Sequence, residues 1–373
     1  MSEQKLMKDQ LGEQAVNRIS QVLTLCLTDF PAQQFINQAL VGLEKLELKQ
    51  RVEHLIVVLA DYLPADFADA ADVLLAVKQH WPDGTTSRES WGGFTAWPLI
   101  DYVAVFGLNH PEIALNVLKN LTSLFSAEFA IRPFIAQHAD LTYAFLMKWT
   151  RDDDVHVRRL ASEGSRPRLP WGKRLTQFCE DPAPLFPILE NLKDDPSLYV
   201  RRSVANNLND IAKDHPQLVI KLCQSWLVDA STERKWLIRH ALRSLVKQGY
   251  PEVFVLLGYS ECPKVVLLNF QLAKTTILLG DNLDIDTLLQ SDSIETQKLV
   301  IDYRIHHVKA NGSTSSKVFK WKNITLHGQT SLVLKKRHPF RLITTRQYHA
   351  GTHFVELLIN GVSYATTKFE LIV

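Results

Sequence analysis

Between Trp149 and Leu175 the chain reads WTRDDDVHVRRLASEGSRPRLPWGKRL. Six cationic side chains, Arg158, Arg159, Arg166, Arg168, Lys173 and Arg174, fall within 17 residues there. Glu163 is the only acid between Asp154 and Glu180. Planar guanidinium groups pair with phosphate oxygens two at a time, so such a run suits a phosphate-bearing polymer. For Arg158 and Arg159 a structural role, holding the preceding run of Asp residues, is the competing reading. Glu163 and Trp171 add a second kind of chemistry. A carboxylate stabilises positive charge that develops on a sugar and positions the attacking water. An aromatic face also favours a developing cation. A second carboxylate, Glu128, lies in AEFAIRPFI close to Arg132. The bland alternatives are plain: Glu128 as an acid at a helix start, after Ser126, Glu163 as a salt-bridge partner of Arg159 at helical spacing, and Trp171 as a packing residue. Trp97 and Asp101, four residues apart in WPLID, form a further pair on one face of a helix start.

Other chemistries have no such signal. The four cysteines, Cys26, Cys179, Cys223 and Cys262, are scattered and form no C-x-x-C pair. Scattered thiols suit a reducing cytoplasm. The histidines are not grouped at ligand spacing, and His306 and His307 are adjacent in a strand-like run, so they face opposite sides. Neither a Gly-rich phosphate loop nor a G-x-S-x-G elbow is present. The sequence therefore predicts no metal and no cofactor.

The elements that must position these residues are of two kinds. At 373 residues the chain is too long for one hydrophobic core and suits two domains. Its 46% hydrophobic and 22% charged residues are those of an ordinary globular protein. No apolar run reaches the ~18–20 residues that a membrane span requires. The polar start MSEQKLMKDQLGEQ lacks the apolar stretch of a secretory signal. In AVNRISQVLTLCL, Val16, Ile19, Val22, Leu23 and Leu27 recur at helical spacing. Helix boundaries are predicted at Phe30-Pro31 and near Glu47, and a loop from Trp81 to Trp97. Further helices are expected over 98–106, 111–124 and 127–138. A repeat follows: Val157-Arg158-Arg159, Val200-Arg201-Arg202 and Ile238-Arg239-His240 each trail acidic residues, at intervals of 43 and 38. That is the period of HEAT-type helical pairs, which bury their apolar sides by stacking.

After Gly258 the pattern changes to short β-branched and aromatic runs: VVLLNFQL, KLVIDYRIHHV, KVFKWKNITL, TSLVLKK, FRLITTRQY, THFVELLIN and TTKFELIV. Turn dipeptides such as Asn311-Gly312 and Asn360-Gly361 separate them. About seven strands at this spacing predict an immunoglobulin-like β-sandwich. The expected architecture is a mainly α chain with a C-terminal all-β domain: a HEAT-like solenoid over 1–260 and a sandwich over 261–373. The net charge is +2, yet residues 262–373 carry 14 Lys and Arg against 8 Asp and Glu. A basic sandwich hints at a polyanion partner. Lys335, Lys336 and Arg337 form its densest basic run. Lys317, Lys320 and Lys322 are expected to line the same face, with a Lys-protected strand edge as the plainer reading.

SEGSRPRLPW, AEFAIRPFI at 127–135 and GLEKLELKQRVEHL at 42–55 resemble the AlkC branch of the HEAT-like-repeat DNA alkylation repair glycosylases. The resemblance spans the helical part almost throughout, and a basic immunoglobulin-like domain at the end is similar to what that branch carries. It implies a monofunctional glycosylase that hydrolyses the N-glycosidic bond of small cationic bases, 3-methyladenine and 3-methylcytosine, in double-stranded DNA without flipping them. By that resemblance Glu128, Glu163, Trp171 and Asp101 are the catalytic candidates. Trp97, Arg132, Arg158, Arg159, Arg166, Arg168, Lys173, Lys335, Lys336 and Arg337 are the DNA-binding candidates. The expected partner is duplex DNA with alkylated bases, bound by a cytoplasmic monomer away from membranes. The alternative from the residues alone is a non-catalytic HEAT scaffold that binds nucleic acid or a protein.

Overall fold

The computed structural model describes residues 6–81, 91–343 and 346–373. Helices run as far as Leu256 and strands begin at Val265. Packing divides the chain at other points. One compact unit takes Met1–Asp214 and Ser231–Leu237, the other His215–Ala230 and Ile238–Val373. The last helices, Arg243–Gln248 and Pro251–Leu256, therefore fall in the same unit as the strands, together with the earlier helix Pro216–Leu227, on which Pro251–Leu256 packs.

In the first unit the helices pair as the apolar spacing requires. Glu13–Cys26 buries Val16, Ile19, Val22 and Leu23. Glu47 begins the helix Leu48–Ala60 with a capping box: its own N–H donates to the Gln50 side chain. The helix Val155–Glu163 packs on Leu198–Ile211. The contact is close because small polar groups meet there: Ser203 Oγ bonds Ser162 Oγ at 3.0 Å, and Asn207 donates to the Ser162 carbonyl at 2.9 Å. Asp154 caps Val155–Glu163 by accepting from the His156 N–H at 2.8 Å.

Two helices differ from expectation. The segment 111–124 is helical only to Leu121. The segment 127–138 does not become helical until Arg132, since residues 127–131 form turns and Pro133 sits in the first helical turn. Glu128 is thus a turn residue and not a helix N-terminal acid. Of the loop expected from Trp81 to Trp97, residues 82–90 lie outside the described residues, and Trp91–Ala96 is a short 3-10 helix.

Among the described residues the sandwich has eight strands: β1 (Val265–Leu272), β2 (Thr276–Leu278), β3 (Asn282–Ser291), β4 (Gln297–Val308), β5 (Thr314–Leu326), β6 (Ser331–Pro339), β7 (Gly351–Ile359) and β8 (Val362–Ile372). They form one sheet in the order β1-β3-β6 and another in the order β2-β8-β7-β4-β5. All pairs are antiparallel except β2 with β8. Leu283 and Ile285 of β3 meet Tyr303, Ile305, Val355, Phe369 and Leu371 of the other sheet in one part of the core.

β3 was not expected, although Leu283, Ile285 and Leu289 alternate with Asp284 and Asp286 across it. Conversely, the run from Phe340 to Tyr348 is not a strand among the described residues. It shows one isolated bridge, Ile343 to Arg346, while Phe340 and Tyr348 enter the same core cluster with their rings 5.4 Å apart. Residues 344–345 of that run lie outside the described residues.

Asn360-Gly361 turns β7 into β8 with both residues left-handed, φ 46° and 77°, as a tight hairpin needs. Asn360 also fastens to β4 the connection between the last helix and β1: its Nδ2 donates to the Ser260 carbonyl at 2.8 Å and its Oδ1 accepts from Val300 N–H at 2.8 Å. A Cβ on Gly361 would lie 2.5 Å from Gly249 Cα. Gly361→Ala is expected to cost about 2–4 kcal/mol in urea denaturation, from left-handed strain plus overpacking. Gly312→Ala, at the same φ of 77° but with open space around its Cβ, should cost only about 1 kcal/mol. Equal losses would remove the close Gly249–Gly361 approach as the cause.

Candidate active site

The two leading carboxylates belong to one chain of alternating charges. Glu128 Oε2 accepts from Arg159 Nη1 at 2.8 Å and from Ser126 Oγ at 2.7 Å. Arg159 Nη2 lies 3.7 Å from Glu163 Oε1. Glu163 Oε1 accepts from Arg166 Nη1 at 2.6 Å, and Arg166 Nε donates to Asp210 Oδ2 at 2.8 Å. Lys213 closes the far end on Asp210 Oδ1 at 2.9 Å. Glu163, Arg166 and Asp210 are buried, while the side chains of Glu128 and Arg159 are 15% exposed. Three carboxylates thus alternate with two guanidiniums along this line, and the ammonium of Lys213 at its end is 44% exposed. The buried guanidinium of Arg132 also faces Glu128 and Asp210, so the carboxylates are fully balanced by cations.

The electrostatics follow from the pairing. Burial opposes ionisation of Glu163, but Arg159 and Arg166 beside it, with the Ser203 hydroxyl, hold it below the usual carboxylate range. Burial likewise works against charge on Arg159, yet Glu128 and Glu163 outweigh it and raise its pKa. The Arg159 guanidinium also stands 4.7 Å over the Tyr199 ring.

Most of the arginines expected to grip phosphate are engaged inside the protein. Arg132 is 1% exposed and donates to the carbonyls of Gly164 and Arg166, each at 2.9 Å, and of Lys173. It shapes the connection 164–173 and presents nothing to a ligand. Arg158 bonds Asp195 at 2.6 Å and the carbonyls of Asp152 and Asp153. It therefore ties its own turn to the acid of the next repeat. Arg168 forks onto Asp214, with contacts of 3.0 and 2.7 Å. Lys173 and Arg174 are exposed.

The connection that Arg132 shapes carries Trp171, whose ring is 57% exposed and whose φ is 63°. A left-handed backbone at a bulky residue is strained and persists only where its surroundings hold it. Here Lys49 Nζ donates to the Trp171 carbonyl. Trp97 is placed differently from expectation. It is 2% exposed, stacked against Phe125 and Phe129 with centroids 5.2 Å from each, so it offers no open face to a nucleotide. Its indole N–H donates to Asp101 Oδ2 at 2.7 Å. Burial pushes the Asp101 carboxyl up to about 7, against the opposing pull of Trp97 and Lys49.

In the sandwich, strand alternation separates the expected basic run. Lys335 and Arg337 point outward from β6 beside Asp286 (3.8 Å) and Asp284 (2.8 Å) on β3. Lys336 points to the other face, where its ammonium lies 5.6 Å over the Tyr303 ring and donates to the Lys320 carbonyl. The three do not form one grip.

Sequence reasoning missed Asp210 and Lys49. Asp210 sits in LYVRRSVANNLNDI, where only its distance of 44 residues from Arg166 within a 43-residue repeat could have drawn attention to it. Lys49 stands inside GLEKLELKQRVEHL, a motif already singled out. Among the described residues no group of His, Cys, Asp and Glu is placed to hold a metal ion. Nor is any helix long and apolar enough to cross a membrane.

Residues 124–245 match the family described as DNA alkylation repair enzyme. Residues 267–373 match one described as the C-terminal Ig-like domain of the uncharacterised protein YhaZ. The uncharacterised protein YhaZ of Bacillus subtilis (strain 168) is 34% identical over 98% of this chain and 99% of its own. Among solved structures, the alkylpurine DNA glycosylase AlkC of Pseudomonas fluorescens, bound to DNA containing an abasic site analog, is 36% identical. The likeness covers 99% of this chain and 100% of that one, with a TM-score of 0.92. The chain belongs to the AlkC-type DNA alkylation repair family. Within that AlkC-type frame the charge chain lies inside the stretch that matches the alkylation repair family, from Glu128 to Asp210.

The raised Asp101 carboxyl has a consequence for stability. The folded state binds its proton up to about pH 7, the unfolded chain only to about 3.8. Its contribution is present below pH 4 and is lost as pH rises through 7, an effect of order a few kcal/mol. Asp101→Asn should therefore gain clearly more thermal stability over the native protein at pH 7.5 than at pH 5, and melting curves that stay parallel across this range would refute the placement.

Proposed function

We propose that the chain is a monofunctional DNA glycosylase that hydrolyses the N-glycosidic bond of small cationic alkylated bases, 3-methyladenine and 3-methylcytosine, in duplex DNA without flipping the base. The observation that carries this reading is the chain Glu128–Arg159–Glu163–Arg166–Asp210, which fixes the carboxylates of Glu128 and Glu163 on either side of one guanidinium, Arg159. Carboxylates fixed in place before reaction favour a ligand that becomes positive during it.

The chemistry suits those groups. A cationic base is already a good leaving group, so no acid need protonate it. The barrier lies in the oxocarbenium charge on the deoxyribose. A carboxylate about 4 Å from that charge is worth roughly 4 kcal/mol at an effective dielectric of ~20. Glu163, held ionised by two guanidiniums, is a weak base, and its part is electrostatic. Glu128 is the more exposed of the two and is assigned to the attacking water. Trp171, exposed on a strained backbone, is assigned to the face of the sugar. Arg159 and Arg166 position the carboxylates, and Lys173 with Arg174 remain for backbone phosphate. The family relationship supports DNA as the partner: the relative AlkC holds DNA with an abasic site analog, and an abasic site is what base release leaves behind.

Glu163→Gln and Glu128→Gln should each slow single-turnover release of 3-methyladenine from methylated duplex DNA by about 10²-fold or more. Affinity for the same duplex should stay within a few-fold of native. Native rates in both variants would overturn the site assignment. Release no faster than the spontaneous rate by native protein, with DNA still bound, would overturn the enzyme reading in favour of a binding scaffold.

A further inference from the structure

A second cluster of charge lies in the unit that contains the sandwich. Arg239, Arg243 and Lys247, at four-residue intervals, share one side of the helical segment leading into Arg243–Gln248. They line a cavity of about 130 Å³ together with Lys320 of β5 and Asp302 of β4. A neighbouring cavity of about 260 Å³ shares Arg239 and adds Lys298. Among the described residues, Arg239, Lys247, Lys298 and Lys320 make no ion pair with a carboxylate within 4 Å. The acid that lines the cavity, Asp302, is 5% exposed and its Oδ1 has no hydrogen-bond partner. A bulge makes this arrangement: Ile301 pairs with Lys322 and Asp302 with Lys320, which leaves Trp321 out of the ladder. The freed Trp321 N–H donates to the Asp302 carboxylate. Bulges re-aim side chains next to binding sites.

From this convergence we infer that the cavity is a phosphate-binding subsite, whose occupant is a backbone phosphodiester of the bound nucleic acid. Like charges brought together around a cavity repel one another, and an entering anion relieves that repulsion. Size narrows the ligand. Small-molecule pockets run to roughly 300–1,000 Å³, so these cavities suit a phosphate group carried on a longer chain. The cations come from a helical segment and from two strands, which fixes their spacing better than a mobile loop would. Asp302 modulates the subsite. Burial pushes its carboxyl up to about 6, against Lys320 on β5 and Lys247 on the helical segment, with Arg239 and Arg243 on the same wall. Below that pH it becomes a neutral hydrogen-bond donor and the subsite gains positive charge.

The inference rests on the DNA-binding part of the proposed function and not on catalysis. The test is a salt titration of affinity for an abasic-analogue duplex, using the full chain. Arg239→Gln with Lys320→Gln should reduce the slope of log K against log salt by about 1, the loss of one phosphate contact. Lys247→Gln with Lys298→Gln should act alike, and Lys309→Gln with Lys368→Gln, elsewhere on the sandwich, should not. Native protein should bind more tightly at pH 5.5 than at 7.5, and Asp302→Asn should remove most of that difference. Unchanged slopes, or equal changes in the Lys309/Lys368 control, overturn the inference. So does saturable binding of inorganic phosphate that leaves the DNA slope untouched, which would assign the cavity to a free anion. Base release is read separately on native protein, so a chain that binds DNA without releasing base would sink the glycosylase and leave this result readable.

Discussion

Five charged groups in one unbroken line dominate the helical part of this protein. Removing an ion from water costs several kcal/mol even after the protein relaxes, and a buried ion persists only when opposite charge meets it at hydrogen-bond distance. Glu163 and Arg166 satisfy that condition at 2.6 Å, and Arg166 and Asp210 at 2.8 Å. Each interior member holds its neighbours on both sides, so the line is only as sound as the placing of three separate elements. The turn 127–131 brings Glu128, the helix Val155–Glu163 and the turn after it bring Arg159, Glu163 and Arg166, and the helix Leu198–Ile211 brings Asp210. The small residues Ser162 and Ser203 let the last two helices approach closely enough for the ions to meet.

The rest of the site is held by backbone carbonyls. Arg132 spends its guanidinium on three of them and so sets the course of the chain from Gly164 to Lys173. Lys49 takes a fourth, that of Trp171. A guanidinium in this role is a rigid template: its donors lie in one plane at fixed angles, which dictates where the carbonyls must be. The strained φ of Trp171 and the exposure of its ring are the visible results. Trp97 and Asp101 lie beneath, where stacking on Phe125 and Phe129 makes the indole part of the core.

The sandwich uses its charges in another way. On β6, alternation sends Lys335 and Arg337 to the outer face opposite Asp286 and Asp284, and Lys336 to the inner side. A run of three cations in sequence becomes two surfaces in space, because successive side chains of a strand point to opposite faces. The denser basic surface is assembled from residues far apart in the chain, Arg239 to Lys320, where the last helices meet β4 and β5 within one unit.

The amino-acid order alone carries the change from helical pairs to strands near residue 260, the repeat marked by Val157-Arg158-Arg159 and Val200-Arg201-Arg202, and the two motifs that hold Glu128 and Glu163. These are local properties: spacing of apolar residues, turn dipeptides and short motifs act over a few residues and survive in one dimension. It also singled out the arginines, but not what they touch. Whether Arg132 meets a ligand or three carbonyls depends on a segment 32 to 41 residues away. Whether Trp97 lies open or buried depends on Phe125 and Phe129. Nothing local distinguishes the regular alternation of β3 from that of an exposed polar segment, and the run from Phe340 to Tyr348 has the composition of a strand without the partner that would make it one. Asp210 and Lys49 entered the site only through the fold, since an ion pair or a buried donor is decided by distance in space, which residues forty or more apart in sequence do not reveal.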